Sequence, residues 1–151
     1  MIFGVGENTA FQKLVKGNPT LQSCANTFLQ PNQNTDVIEN LGCQAMAFLF
    51  GGEFTDNLAL MRYNMFSKKV ISATSFVTPE LLPPTQSAIK LHSRRTYYQM
   101  MVWIGRDGGT DAINWGWKLE EDQLVPVMSK MNAAPESYPL QLLYFLQNTT
   151  L

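Results

Sequence analysis

Side chains suited to catalysis are scarce in this sequence. It holds one histidine, His92, and two cysteines, Cys24 and Cys43, among 151 residues. A structural zinc site needs about four Cys or His ligands at suitable spacing, so a zinc finger or ribbon is excluded. A serine or cysteine nucleophile usually leans on a histidine base, and neither a G-x-S-x-G elbow nor a phosphate-binding P-loop occurs. Two cysteines are too few for a disulfide framework. Both fall on apolar stretches of helical period, and we read them as reduced core thiols in an intracellular setting. Charge is also sparse: 15% of residues are charged and the net charge is −1. No global field draws the chain to nucleic acid or to a membrane surface, so any polyanion contact needs a local patch. No run approaches the roughly 18 apolar residues of a membrane span, and Met1–Gly6 lacks the apolar core of a signal peptide.

What is present is a chain 45% hydrophobic and 11% aromatic. A single domain of this length buries roughly 70% of its unfolded surface. Apolar residues recur with helical period in most of it. Glu7–Lys16 is expected as a short helix with Ala10, Phe11, Leu14 and Val15 on one face. Asn18 is expected to cap a second helix with Pro19 in its first turn and Leu21, Cys24, Ala25, Phe28 and Leu29 inward. A third, near Asp36–Phe50, carries Val37, Ile38, Leu41, Ala45, Phe48 and Leu49. A fourth, about Asp56–Lys69, presents Leu58, Met61, Met65 and Phe66. Ser72–Pro84 is broken by three prolines. Thr85 then caps the longest helix, about Gln86–Ile104, whose inner face is expected to be Ala88, Leu91, Tyr98 and Val102, flanked by Met101. Alternation at Trp115, Trp117 and Leu119, an acidic turn and Leu124–Val127 predict a small hairpin. The fold class is therefore mainly α with a small C-terminal β-hairpin. It divides into 1–17, a helix-hairpin-helix-like element; 18–105, a helical domain; 106–135, the hairpin region; and 136–151, an irregular tail.

Three groups of residues carry candidate chemistry. The first is Gly4-Val5-Gly6 with Thr9, Lys13 and Lys16. Glycines let the backbone approach an anion closely, and the unpaired N–H groups at a helix start point at it. Such a turn can hold a DNA phosphate, with the two lysines reaching neighbouring phosphates. The second is Lys90, Arg94 and Arg95. Lys90 and Arg94 stand at i, i+4 on one helical face, where they repel unless something anionic lies between them. Tyr97 and Tyr98 follow, an interleaving suited to nucleic acid; the plainer alternative is a solvated face with tyrosines in the core. The third group is acidic: Asp107 and Asp111, and Glu120-Glu121-Asp122. Both read more simply as turn residues than as magnesium ligands, so no metal, cofactor or catalytic residue is expected.

Phe3-Gly4-Val5-Gly6-Glu7-Asn8-Thr9-Ala10-Phe11-Gln12-Lys13-Leu14 resembles the helix-hairpin-helix segment of flap-endonuclease-like (PIN-like) nucleases. Leu82–Thr85, Lys90–Gln99, Asn114–Leu119, Pro126–Met128 and Ala133–Pro135 resemble the C-terminal part of mobile-element-related animal proteins that place such a nuclease domain upstream. The resemblance implies a metal-dependent nuclease whose acidic site precedes the hairpin, in a stretch that this sequence does not contain. Glu7 stands where that group usually has lysine, and the cysteine-rich tail expected after the Ala-Pro segment is missing. The expectation is thus a non-catalytic, truncated relative that binds the DNA backbone and is nuclear if it does so. The alternative is a protein-interaction or scaffolding module, self-associating or partnered through apolar surface uncovered by loss of the upstream domain.

Overall fold

The computed structural model describes residues 18–53, 57–72 and 81–130, together with Gln12. The glycine turn and helix expected before Asn18 and the tail after Pro135 lie outside the described residues.

Among the described residues, four helices, α1 (Pro19–Phe28), α2 (Thr35–Leu49), α3 (Leu58–Ser72) and α4 (Gln86–Trp103), precede a short 3-10 turn at Ala112–Trp115 and a hairpin of β1 (Trp117–Glu120) and β2 (Gln123–Pro126). The fold is mainly α with a small two-stranded antiparallel sheet. Each helix begins where a short polar side chain can satisfy its free N–H groups. Asn18 Oδ1 accepts from Thr20 and Leu21 N–H at 3.0 and 3.2 Å, with Pro19 in the first turn. Asn34 accepts from Asp36 at 2.8 Å, Asn57 from Ala59 at 2.9 Å and Thr85 from Ala88 at 3.3 Å.

The core is organised by α2 and α4, which run antiparallel. At one end, Ile38 of α2 clusters with Tyr97, Met101 and Trp115; at the other, Met46 and Ala47 cluster with Leu58 and Ile89. Between these clusters the helices approach closely. A Cβ added at Gly42 would fall 1.8 Å from Ser93 Oγ and 2.7 Å from Ser93 Cβ. Only glycine on α2 allows this crossing, and a small residue on α4 faces it.

The register of α4 differs from the expected one. Its buried residues are Ile89, Ser93, Tyr97 and Met101, whereas Ala88, Leu91 and Tyr98 are half-buried and Val102 is exposed. The four observed positions are four residues apart, forming one continuous stripe. Hydropathy alone favours the leucine and valine positions, but the close crossing needs the small Ser93 at its centre. On α2, likewise, Val37 is exposed while Glu39 is buried. Trp115, expected in the hairpin, sits in the 3-10 turn and is buried against Tyr97, ring centroids 4.6 Å apart.

Tyr97 also ties α1 to the core. Its hydroxyl donates to Gln30 O at 2.8 Å and accepts from Gln33 N–H at 3.1 Å, while Phe28 meets its ring edge-on at 6.3 Å. In the segment before α4, Leu82 and Pro83 are buried, and the Arg62 guanidinium donates to Pro83 O.

Replacing Gly42 by alanine raises helix propensity yet inserts a methyl group where Ser93 already stands. We expect a net loss of about 1–3 kcal/mol, the usual cost of overpacking, measured by urea unfolding. An unchanged or raised midpoint would show that the helices do not cross this closely.

Candidate functional site

The i, i+4 cations of the basic group on α4, Lys90 and Arg94, need a counter-charge. The structure supplies one from inside the molecule. Glu39, only 8% exposed, projects from α2 between Lys90 and Arg94. Its Oε2 lies 3.2 Å from Lys90 Nζ. Its Oε1 accepts from Arg94 Nε at 2.5 Å and is also paired with the second guanidinium nitrogen. The side chains of Lys90 and Arg94 remain 36% and 29% exposed, against 10% for Glu39. Two half-exposed cations therefore converge on one buried carboxylate at the crossing of α2 and α4.

Arg95 is committed elsewhere. Its guanidinium donates to Val127 O at 2.9 Å and to Gly116 O at 3.4 Å, holding both sides of the hairpin's base against α4. Val127 N–H in turn donates to Gly116 O at 3.0 Å. Gly116 has φ 82°, and a Cβ there would stand 3.3 Å from Leu91 O. The chain after β2 then returns along α4, where the hydroxyls of Ser129 and Ser87 meet at 2.5 Å. So the three cations read from the sequence as one patch serve two separate structural joints. Gly4, Val5, Gly6, Thr9, Lys13 and Lys16 lie outside the described residues, and no geometry joins them to Lys90, Arg94 and Arg95.

The acidic candidates divide similarly. Asp111 caps the 3-10 turn, accepting from Ile113 N–H at 3.0 Å. Asp107 turns the loop through its backbone, whose carbonyl accepts from Thr110 N–H. Glu121 and Asp122 form the hairpin tip. Among the described residues, no group of three or more His, Cys, Asp or Glu side chains is placed to hold a metal ion. A cavity of about 210 Å³ lies between the α1–α2 loop and the end of α4, lined by Asn32, Gln33, Tyr98, Arg106, Asp107 and others.

His92 is exposed, its Nε2 3.5 Å from Thr96 Oγ1. Partial desolvation, and secondarily the nearby Arg95 charge, lower its pKa. The two thiols are free; Cys24 is buried and Cys43 half-buried. Burial pushes both pKa values up, so neither is a ready thiolate.

Sequence reasoning missed two surfaces. Glu39 went unremarked because an isolated acid among apolar neighbours in a helix reads as solvated, although its i+3 and i+7 neighbours, Gly42 and Met46, share its face. The other surface is apolar. Val102, Trp103 and Ile104 close α4 with exposures of 44%, 76% and 42%. On the hairpin, Leu119 and Leu124 are exposed by 57% and 50%. Among the described residues no helix is long and apolar enough to cross a membrane.

No protein-family model, curated protein or solved structure matches this chain.

Arg95→Gln should release the base of the hairpin while leaving the helices in place. We expect a loss of about 1–3 kcal/mol, typical of hydrogen bonds to a charged group, with faster amide exchange confined to the hairpin strands. Unchanged protection at Val127 would remove Arg95 from this role.

Proposed function

We propose that this chain is a protein-interaction module that engages its partner through exposed apolar side chains. The observation that carries this reading is the end of α4. Met101 turns inward to fill the core, while the next three residues, Val102, Trp103 and Ile104, leave their side chains in solvent. A tryptophan 76% exposed between two aliphatic residues is costly to hydrate. Exposed apolar patches mark contact surfaces, and tryptophan is the residue type most enriched among those that dominate binding energy. The disposition of the α4 cations supports the same reading. Lys90 and Arg94 already share a carboxylate, and one nitrogen of the Arg95 guanidinium is held by two carbonyl oxygens, which leaves them less free to track a phosphate backbone.

The second reading keeps the resemblance of Phe3–Leu14. In it, the chain is a non-catalytic relative of flap-endonuclease-like proteins that holds a DNA phosphate at Gly4-Val5-Gly6 with Thr9, Lys13 and Lys16. What favours it is the glycine spacing in the sequence. Two phosphates neutralised by Lys13 and Lys16 would give a salt slope of about −1.8 on duplex DNA.

One paired experiment separates the two. Crosslinked capture with wild-type protein is compared with Trp103→Ser/Ile104→Ser, alongside titration of duplex and flap DNA at low salt. We expect a defined partner set that survives high salt and is lost in the double variant, with no DNA binding at high micromolar protein. Identical capture by both proteins, or salt-dependent DNA binding lost in Lys13→Gln/Lys16→Gln, would replace the first reading by the second.

A further inference from the structure

The hairpin offers a second apolar surface whose electrical character is distinct. Its register places Trp117 opposite Pro126 and Leu119 opposite Leu124. Since side chains alternate along a strand, these four share one face, apolar from base to tip. Lys118, Glu120, Gln123 and Val125 occupy the other, where Lys118 and Glu120 form an ion pair. The apolar face is open at its outer end, with Leu119 and Leu124 more than half or half exposed.

Beyond these leucines the strands join through Glu121 and Asp122, with φ 47° and 61°. Two consecutive left-handed residues are the signature of the tight hairpin turn that Asn-Gly or Asp-Gly fills most readily. A glutamate followed by an aspartate is an unfavourable choice for that backbone. Among the described residues neither carboxylate has a hydrogen bond or an ion pair, in contrast to Glu120. The hairpin therefore presents two uncompensated negative charges bordering an exposed leucine pair, at positions where the turn itself would prefer other residues.

We propose that this face receives a segment of a partner protein that carries a bulky apolar side chain flanked by lysine or arginine. The proposal rests on the protein-binding reading above and adds the chemistry of the partner. The apolar side chain packs over Leu119 and Leu124, and the flanking cations meet Glu121 and Asp122. Complementary charge of this kind selects the partner and speeds encounter more than it adds affinity. An acidic segment or a polyanion meets repulsion at the same place.

The test uses the full chain and three labelled peptides of equal length with the same Leu and Phe anchors. One is flanked by Lys and Arg, one by Glu and Asp, and one by Ser and Asn. Anisotropy titrations at low and high salt are expected to rank basic over neutral over acidic, with basic roughly tenfold tighter than acidic at low salt and the gap closing as salt screens the tip. Leu119→Ser/Leu124→Ser should abolish binding of all three. Glu121→Asn/Asp122→Gly installs the preferred turn sequence, so it should strengthen the hairpin while erasing the preference for the basic peptide. This second variant separates charge from folding. If all three peptides bind equally and need the leucines, the basic-partner proposal fails while protein binding stands. Absence of binding by the basic peptide, or basic binding that survives loss of both leucines, overturns the proposal outright. So does a dimer through the hairpin that excludes the peptides.

Discussion

Glu39 sits beside Gly42 on α2, and between them these two residues define how α2 meets α4. The missing side chain at Gly42 lets the helices close until Ser93 fills the space a methyl group would need. The carboxylate three residues earlier then faces Lys90 and Arg94 across the same crossing. A buried carboxylate without partners costs several kcal/mol, so Glu39 is tolerable only in the register that delivers both cations. Any slip along α4 would strand it and carry Ser93 away from Gly42. Steric fit and charge thus specify one alignment, which in turn places Tyr97 against Trp115 and Gln30, and Arg95 against the hairpin base.

This arrangement has a consequence for function. In sequence, Lys90, Arg94 and Arg95 look like one basic patch followed by aromatics, a pattern associated with nucleic acid. In the fold the patch is divided: two cations belong to the helix crossing, one to the hairpin, and Tyr97 belongs to the core. The exposed apolar surfaces are the end of α4 and the leucine face of the hairpin, the latter bordered by Glu121 and Asp122. An interaction module fits that distribution better than a phosphate-tracking surface does.

Much of the secondary structure was legible because its signals are local. Asn18-Pro19 and Thr85 mark helix starts by chemistry that needs no tertiary information, and Glu120–Asp122 between apolar strands marks a hairpin turn. The burial pattern was less legible because it depends on neighbours. Hydropathy placed Leu91 and Val102 inside α4, but the close crossing selects Ser93, and the stripe shifts to Ile89, Tyr97 and Met101. On α2 the same crossing leaves Val37 exposed and draws Glu39 inward. The repulsion between Lys90 and Arg94 did announce that an anion must lie nearby. It could not say that the anion is internal, since Glu39 is more than fifty residues away in sequence. The glycine turn at Gly4–Gly6 falls outside the described residues, so the candidate DNA contact gains no geometry from the fold.

Lys90 and Arg94 are bound by Glu39 within the protein and not held in reserve for an external anion. A double-mutant cycle with Glu39→Gln and Arg94→Gln, read by urea unfolding at low and at 1 M salt, tests this most directly. A coupling of about 1–3 kcal/mol, as residues in direct contact give, should persist at high salt, where an exposed pair is screened. Additive single effects, or a coupling that vanishes with salt, would mean that Lys90 and Arg94 are surface charges after all.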